Sequence, residues 1–149
     1  MTEIRFYHLE HQSLDQVLPA LLTKALEQGK RVVIKAINEK EVERLNDHLW
    51  TYHPDSFMPH GSKKDGYETD QPVWLTTSDE NPNGASVLIL TQGTESNMHS
   101  AYSLCCEMLD GHDTETVTQA RTRWQTYKDS GHTVTYWQQG DKGWEKKTG

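Results

Sequence analysis

The fold is decided by residues 4–36, IRFYHLEHQSLDQVLPALLTKALEQGKRVVIKA. Alternating side chains over residues 4–8 predict a strand. A capping-box pattern at residues 13–16 is followed by apolar residues at helical spacing, which together predict a helix. The apolar run at residues 31–36 predicts a second, buried strand. A strand, a helix and a strand in this order are the repeating unit of a parallel sheet.

The rest of the chain continues this alternation. Further helices are predicted over residues 38–50, 97–109 and 117–130, and further strands over residues 73–76, 86–91 and 132–138. Together the elements predict a three-layer, Rossmann-like α/β fold, in which helices cover both faces of a mostly parallel sheet. We expect a single domain over residues 1–138, followed by a flexible polar tail over residues 139–149.

Composition and charge exclude several classes of protein. The net charge is −7, and the first 116 residues carry nine Lys or Arg against 19 Asp or Glu, so this part repels nucleic-acid phosphates. No apolar run approaches the ~18 residues of a membrane span. The adjacent cysteines Cys105 and Cys106 do not suit a disulfide, which fits a reducing cytoplasm. We therefore expect a cytoplasmic protein that binds no membrane and contacts DNA only indirectly; direct DNA binding by the basic C-terminal region is a weaker alternative.

No motif predicts catalysis or a cofactor. The turn after the first strand has no G-x-G-x-x-G and no G-K-[ST], so nucleotide binding loses its main support. The closest histidine pairs, His8 with His11 and His48 with His53, lack partners at zinc-ligand spacing. Cys105 falls on the apolar face of a predicted helix, where a thiol is usually inert. We predict no catalytic residue, metal or cofactor, and keep as the alternative a nucleotide or small-molecule enzyme that uses the crevice at the strands' carboxyl ends.

Residues 120–128, ARTRWQTYK, are the most informative about binding. Four of them recur at helical spacing and share one face: Arg121, Trp124, Gln125 and Lys128. Cations beside an indole suit an acidic peptide with an aromatic end, because the cations meet carboxylates and the ring lines a hollow for a side chain. The alternative is a solvated basic face whose Trp packs inward, and the pattern alone favours this alternative slightly.

The sequence resembles the chi subunit of bacterial DNA polymerase III over nearly its whole length. The most specific match is LWTYHPDSFMPHG at residues 49–61. Shorter matches lie at residues 6–9, 29–32, 71–76, 120–124, 127–128, 131–132 and 136–139. The resemblance implies a non-catalytic replication adaptor without a nucleotide. Its implied partners are the acidic, Phe-ending C-terminal tail of single-stranded-DNA-binding protein and, on another face, the psi subunit, which links it to the clamp loader.

The resemblance also implies which residues bind the tail. The family's tail-binding Arg falls on Arg121, its aromatic residue on Trp124 and its second cation on Lys128. The strand that lines one side of the site contributes Val134 and Tyr136.

Two further positions qualify this assignment. Gln125 stands where the best-known members have a lysine, which removes one cation. We expect either weaker binding of the tail or support from Arg123 in its place. The family's psi-contacting Phe falls on Phe57, inside the long connection at residues 51–72. An exposed aromatic there suits a partner anchor.

Overall fold

A computed structural model describes residues 2–10, 13–51, 60–62, 66–67, 69–91, 94–96, 99–140 and 143–148. The strands are β1 (Glu3–Leu9), β2 (Val32–Lys35), β3 (Gly61–Ser62), β4 (Val73–Thr76), β5 (Val87–Leu90), β6 (Leu104–Asp110), β7 (Thr133–Gly140) and β8 (Gly143–Thr148). The helices are α1 (Leu14–Glu27), α2 (Glu39–Thr51) and α3 (Thr114–Asp129), and a 3₁₀ turn spans His99–Ala101.

The described strands form one sheet in the order β3-β4-β2-β5-β6-β1-β7-β8. Seven of them run parallel, and β8 alone pairs antiparallel, with β7. The predicted α/β fold with a mostly parallel sheet is thus confirmed. None of the helices in the described ranges is long and apolar enough to cross a membrane.

The sheet divides the core into two layers. On one face α1 and α2 bury Leu18, Leu22 and Leu45 against the sheet. On the other face α3 buries Ala120 and Tyr127 against the central strands. Alternate residues of a strand point to opposite faces, so a strand covered on both sides reads as a continuous apolar run. Helices on both faces give the predicted three layers.

One predicted helix is wrong. Residues 97–109 were expected to be helical, whereas β6 runs through Leu104–Asp110 between β5 and β1. Cys105 belongs to the core layer beneath α3, and Cys106 belongs to the layer beneath α1 and α2. Because β6 is buried on both faces, its sequence lacks the polar alternation that distinguishes a strand from a buried helix.

The segment predicted as a flexible polar tail contains a strand. β7 extends to Gly140, and β8 pairs with it so that Gln138 lies opposite Glu145. An edge strand in an antiparallel hairpin is held by main-chain hydrogen bonds and needs no apolar run. The polar composition of residues 139–149 therefore concealed this strand.

Candidate functional site

Helix α3 is held at its start by a side-chain cap. The Asp113 carboxylate accepts hydrogen bonds from the main-chain N–H groups of Glu115 (3.1 Å) and Thr116 (3.3 Å). Bonding to the Thr116 side chain, the largest effect, and to these main-chain groups lowers the pKa of Asp113. A carboxylate at this position satisfies helical N–H groups that would otherwise lack partners, and its charge complements the helix dipole. The cap fixes the helical frame in which the predicted site residues lie.

The basic face predicted on α3 is present. Arg121, Gln125 and Lys128 are exposed, and Trp124 is half-buried. The Lys128 Nζ lies 4.7 Å from the centre of the Trp124 ring, within the range of a cation–π contact. The Gln125 Nε2 donates a hydrogen bond of 2.8 Å to Asp129, one turn further along the helix. Gln125 is thus engaged within α3 instead of supplying a charge to the face.

Trp124 packs inward on one side and lies on the basic face of α3 on the other, so it has features of both predicted arrangements. The indole packs against the core layer that contains Ala120 and Tyr127, while Lys128 covers its ring from the solvent side. The Trp124 Nε1 is buried and has no hydrogen-bond partner among the described residues. An indole N–H that is buried without a partner has lost its hydration energy, which is a cost to the folded state.

The strand side of the predicted site lies on β7, directly beside β1. Val134 pairs with Ile4 and is a buried core residue, so it supports the site from below. Tyr136 pairs with Phe6, and their rings stack with centroids 6.1 Å apart. Tyr136 is half-buried. Of the two predicted strand residues, Tyr136 is thus the one with a partly exposed side chain.

Electrostatics connect the helix and strand parts of the site. Burial is the largest effect on the Tyr136 hydroxyl and raises its pKa, while the positive charge of Arg121 opposes this shift. Lys128 contacts Trp124, and Trp124 and Tyr136 both pack against the core layer that contains Val134, while Arg121 lies one turn before Trp124 on the same face of α3.

A polar cluster beside Tyr136 was not predicted. We call it the Glu10–His8–Tyr136 cluster. The His8 Nδ1 lies 2.6 Å from the Tyr136 hydroxyl, and the His8 Nε2 lies 3.0 Å from a Glu10 carboxylate oxygen. In the sequence, His8 stands out only as a possible metal ligand paired with His11, which lies outside the described residues. The signal available was strand alternation, which places His8 on the same face of β1 as Phe6, next to β7.

Arg123 does not serve as the substitute cation on the basic face. Its guanidinium points into the core, where Nε donates a hydrogen bond of 2.8 Å to Glu107 on β6 and Nη2 lies 2.7 Å from the same oxygen. The side chain of Arg123 is 10% exposed and that of Glu107 is 2% exposed. Arg121 and Arg123 are two residues apart on α3 and so face different directions. The expected role of Arg123 in the site is therefore wrong.

The described residues contain no group of three His, Cys, Asp or Glu side chains placed to hold a metal ion. Cys105 and Cys106 are both free and buried. Burial raises the pKa of the Cys106 thiol to about 12 and raises the pKa of Cys105 well above its usual value. A thiol that resists ionisation is a poor nucleophile. Phe57, the predicted psi contact, lies outside the described residues.

Comparisons of the sequence with known proteins point to one family. A family model described as DNA polymerase III chi subunit, HolC, matches residues 1–135. The probable DNA polymerase III subunit chi of Rickettsia prowazekii is 34% identical over 95 residues, which cover 64% of this chain and 58% of that protein's length. The DNA polymerase III subunit chi of Escherichia coli is 23% identical over 139 residues, covering 88% of this chain and 94% of the relative.

Among solved structures, the C-terminal domain of S. cerevisiae Dbp5 bound to Gle1 and IP6 is similar in fold. The TM-score is 0.55 with 10% sequence identity, and the match covers 91% of this chain and 90% of that chain. At this level of identity the likeness concerns the α/β fold alone.

Proposed function

Because the chain belongs to the DNA polymerase III chi subunit family, we propose that it is a non-catalytic replication adaptor that binds the acidic, Phe-ending C-terminal tail of single-stranded-DNA-binding protein. Family membership supports an accessory role in replication. The tail site is assigned to the α3 and β7 side of the molecule. The observation that supports this assignment is the face of α3 on which Arg121 and Lys128 are exposed and Lys128 covers the half-buried Trp124 indole at 4.7 Å.

Arg121 is the proposed anchor for the peptide's terminal carboxylate. It is exposed on α3, and none of the described contacts pairs it with an acidic side chain. A guanidinium donates two parallel N–H groups and so matches both oxygens of a carboxylate, which the single ammonium of a lysine does not. The neighbouring Tyr136 hydroxyl gives the anchor a polar wall on the strand side.

The peptide's terminal aromatic side chain is proposed to lie beside the Trp124 indole. Its acidic residues would then lie near Lys128, which is exposed and flexible enough to leave the indole ring for a carboxylate. The charge distribution supports this arrangement, because residues 117–149 carry six Lys or Arg against three Asp or Glu in a protein of net charge −7. A local basic region in an acidic protein attracts a small acidic partner more readily than a nucleic acid.

The second proposed partner is the psi subunit, or an equivalent clamp-loader component, at the loop that contains Phe57. This part of the proposal is supported by the sequence match at residues 49–61. The loop follows α2, which packs on the face of the sheet opposite α3. In this proposal the two partners bind at different parts of the molecule, the tail is thereby linked to the clamp loader, and contact with DNA is indirect.

The test is a fluorescence anisotropy titration of a short labelled peptide of Asp residues that ends in Phe. Arg121→Ala is expected to weaken binding by about 1.5 to 3 kcal/mol, the range for hydrogen bonds to charged groups. Lys40→Ala is the matched control, because it removes one exposed positive charge from α2 on the opposite face. Wild-type affinity in the Arg121→Ala variant, or equal losses in both variants, would contradict the assignment.

A further inference from the structure

A cavity of about 160 Å³ lies under the second half of α1, toward the amino ends of β1, β5 and β6. Its floor is apolar and is formed by side chains of two adjacent strands: Val87 and Ile89 of β5, and Leu104 and Cys106 of β6. These residues share one face of the sheet, because alternate residues of a strand point the same way. Ala25 of α1 lies over them, and its methyl group fills little of the space between helix and sheet.

Positive charges line the rim of this cavity. Arg5 pairs with Cys106 across β1 and β6, which places it next to the floor. Lys24 in the last turn of α1 and Lys30 just after the helix supply two more cations. Arg5 forms an ion pair with Glu3, whereas in the described part of the chain neither lysine forms one. The rim therefore has a local excess of positive charge, in a protein whose net charge is −7.

The size and the lining of the cavity limit what it can hold. An apolar protein cavity of about 150 Å³ holds one benzene molecule. Pockets for larger ligands measure about 300 to 1,000 Å³, so a nucleotide or an extended peptide does not fit. A small inorganic anion would lose hydration and leave the apolar floor unfilled. A single ring or a short branched chain that carries a carboxylate suits both the floor and the rim.

We propose that this cavity binds a free, small carboxylic acid whose body is one aromatic ring or a branched chain of similar size. The apolar body lies on Val87, Ile89 and Leu104. The carboxylate reaches the ammonium groups of Lys24 and Lys30 at the rim, where hydrogen bonds between ionised groups are stronger than neutral ones. The site is separate from the proposed peptide site, because α1 and α3 lie on opposite faces of the sheet.

The experiment compares phenylacetate with its neutral counterpart, phenylacetamide. Each is titrated into the full chain, labelled for NMR, at concentrations up to about 10 mM. Phenylacetate is expected to shift the main-chain amides of Lys30, Leu104 and Cys106 and to leave those of α3 unchanged. Its affinity is expected to be roughly three- to tenfold higher than that of phenylacetamide, as two partly exposed ion pairs would supply.

Two variants separate the effect of charge from the effect of shape. The double variant Lys24→Ala with Lys30→Ala removes both ammonium groups and is expected to weaken phenylacetate roughly three- to tenfold, without changing the affinity for phenylacetamide. Lys40→Ala, which removes an exposed cation from α2, is the control and is expected to leave both affinities unchanged. Ala25→Leu fills the cavity from α1 and is expected to abolish binding of both compounds.

Equal affinities for phenylacetate and phenylacetamide would overturn the inference, as would wild-type affinity for phenylacetate in the double lysine variant. Absence of shifts at the cavity residues up to about 10 mM would overturn it as well. Phenylacetate and the Phe-ending Asp peptide are expected to bind independently. Competition between them at this cavity would overturn both this inference and the assignment of the peptide to α3. If Ala25→Leu does not fold, the lysine variant and the amide comparison still decide the question.

Discussion

Replacing Arg123 with alanine tests the internal support of α3. The guanidinium contacts Glu107 through Nε at 2.8 Å and Nη2 at 2.7 Å, and both side chains are almost fully buried. Burial raises the pKa of Glu107, and Arg123 is the main influence that lowers it. The variant therefore leaves a buried carboxyl group without its cation. Tyr127, which also hydrogen-bonds to Glu107, remains as a neutral partner.

The cost follows from how the protein would remove this unpaired charge. Taking up a proton at pH 7 on a carboxyl whose ordinary pKa is 4.5 costs about 3 kcal/mol, at about 1.4 kcal/mol per pH unit. Removing one partner of a buried ion pair typically costs about 3 to 5 kcal/mol. Protonation limits the cost to about 3 kcal/mol, the lower end of the second range, so we expect a loss of about 3 kcal/mol in the free energy of unfolding. The cost of protonating Glu107 becomes smaller at lower pH. The loss of stability in the Arg123→Ala variant is therefore expected to decrease as the pH falls toward about 5.

Urea unfolding at about pH 7.5 and about pH 5 measures both effects. Arg121→Ala is the matched control, because it removes an exposed arginine from the same helix and is expected to change stability by less than about 0.5 kcal/mol. Adding Glu107→Gln to Arg123→Ala is expected to recover part of the loss, since a neutral amide needs no cation. A loss below about 1 kcal/mol, or a loss independent of pH, would refute this account of the pair.

Two other predictions concern the elements that frame the site. Gly111→Ala places a Cβ against the His8 ring and 2.6 Å from the Leu9 carbonyl oxygen, so urea unfolding should show a loss of about 1 to 3 kcal/mol; an unchanged midpoint would contradict the close approach. Asp113→Ala should lower the melting temperature at neutral pH because the cap is lost. Because folding lowers the pKa of Asp113, the wild-type protein loses this extra stability only as the pH falls below about 3.8. A difference in melting temperature between wild type and variant that persists in stronger acid would count against the cap.

Most helices and strands could be predicted from the sequence, because they have an amphipathic pattern, a capping motif or a short apolar run. The capping box at Ser13 is present in α1, where the Ser13 N–H donates a hydrogen bond of 2.8 Å to Gln16. The short apolar runs of β2, β4 and β5 were predicted as strands and are strands. β6 was not predicted, because burial on both faces removes alternation and its composition then resembles a buried helix.

Features of the candidate site that lie within one helix could be predicted from the sequence. Features that depend on contacts between different helices and strands could not. The face that presents Arg121 and Lys128 follows from helical spacing alone. The inward direction of Arg123 depends on its partner Glu107, which lies on the strand that was predicted as a helix. The contact between His8 and Tyr136 joins residues 128 positions apart, and only the parallel pairing of β1 with β7 brings them together.

The most direct test of the tail-binding proposal is a map of peptide contacts by heteronuclear NMR, with the Phe-ending Asp peptide titrated into labelled protein. The proposal predicts the largest shifts at the Trp124 indole N–H, which is buried without a described partner, and at main-chain amides near Arg121 and Tyr136. Residues of α1 and α2, on the opposite face of the sheet, should change little. Shifts centred on α1 and α2, or no shifts at peptide concentrations that saturate anisotropy, would contradict the proposal.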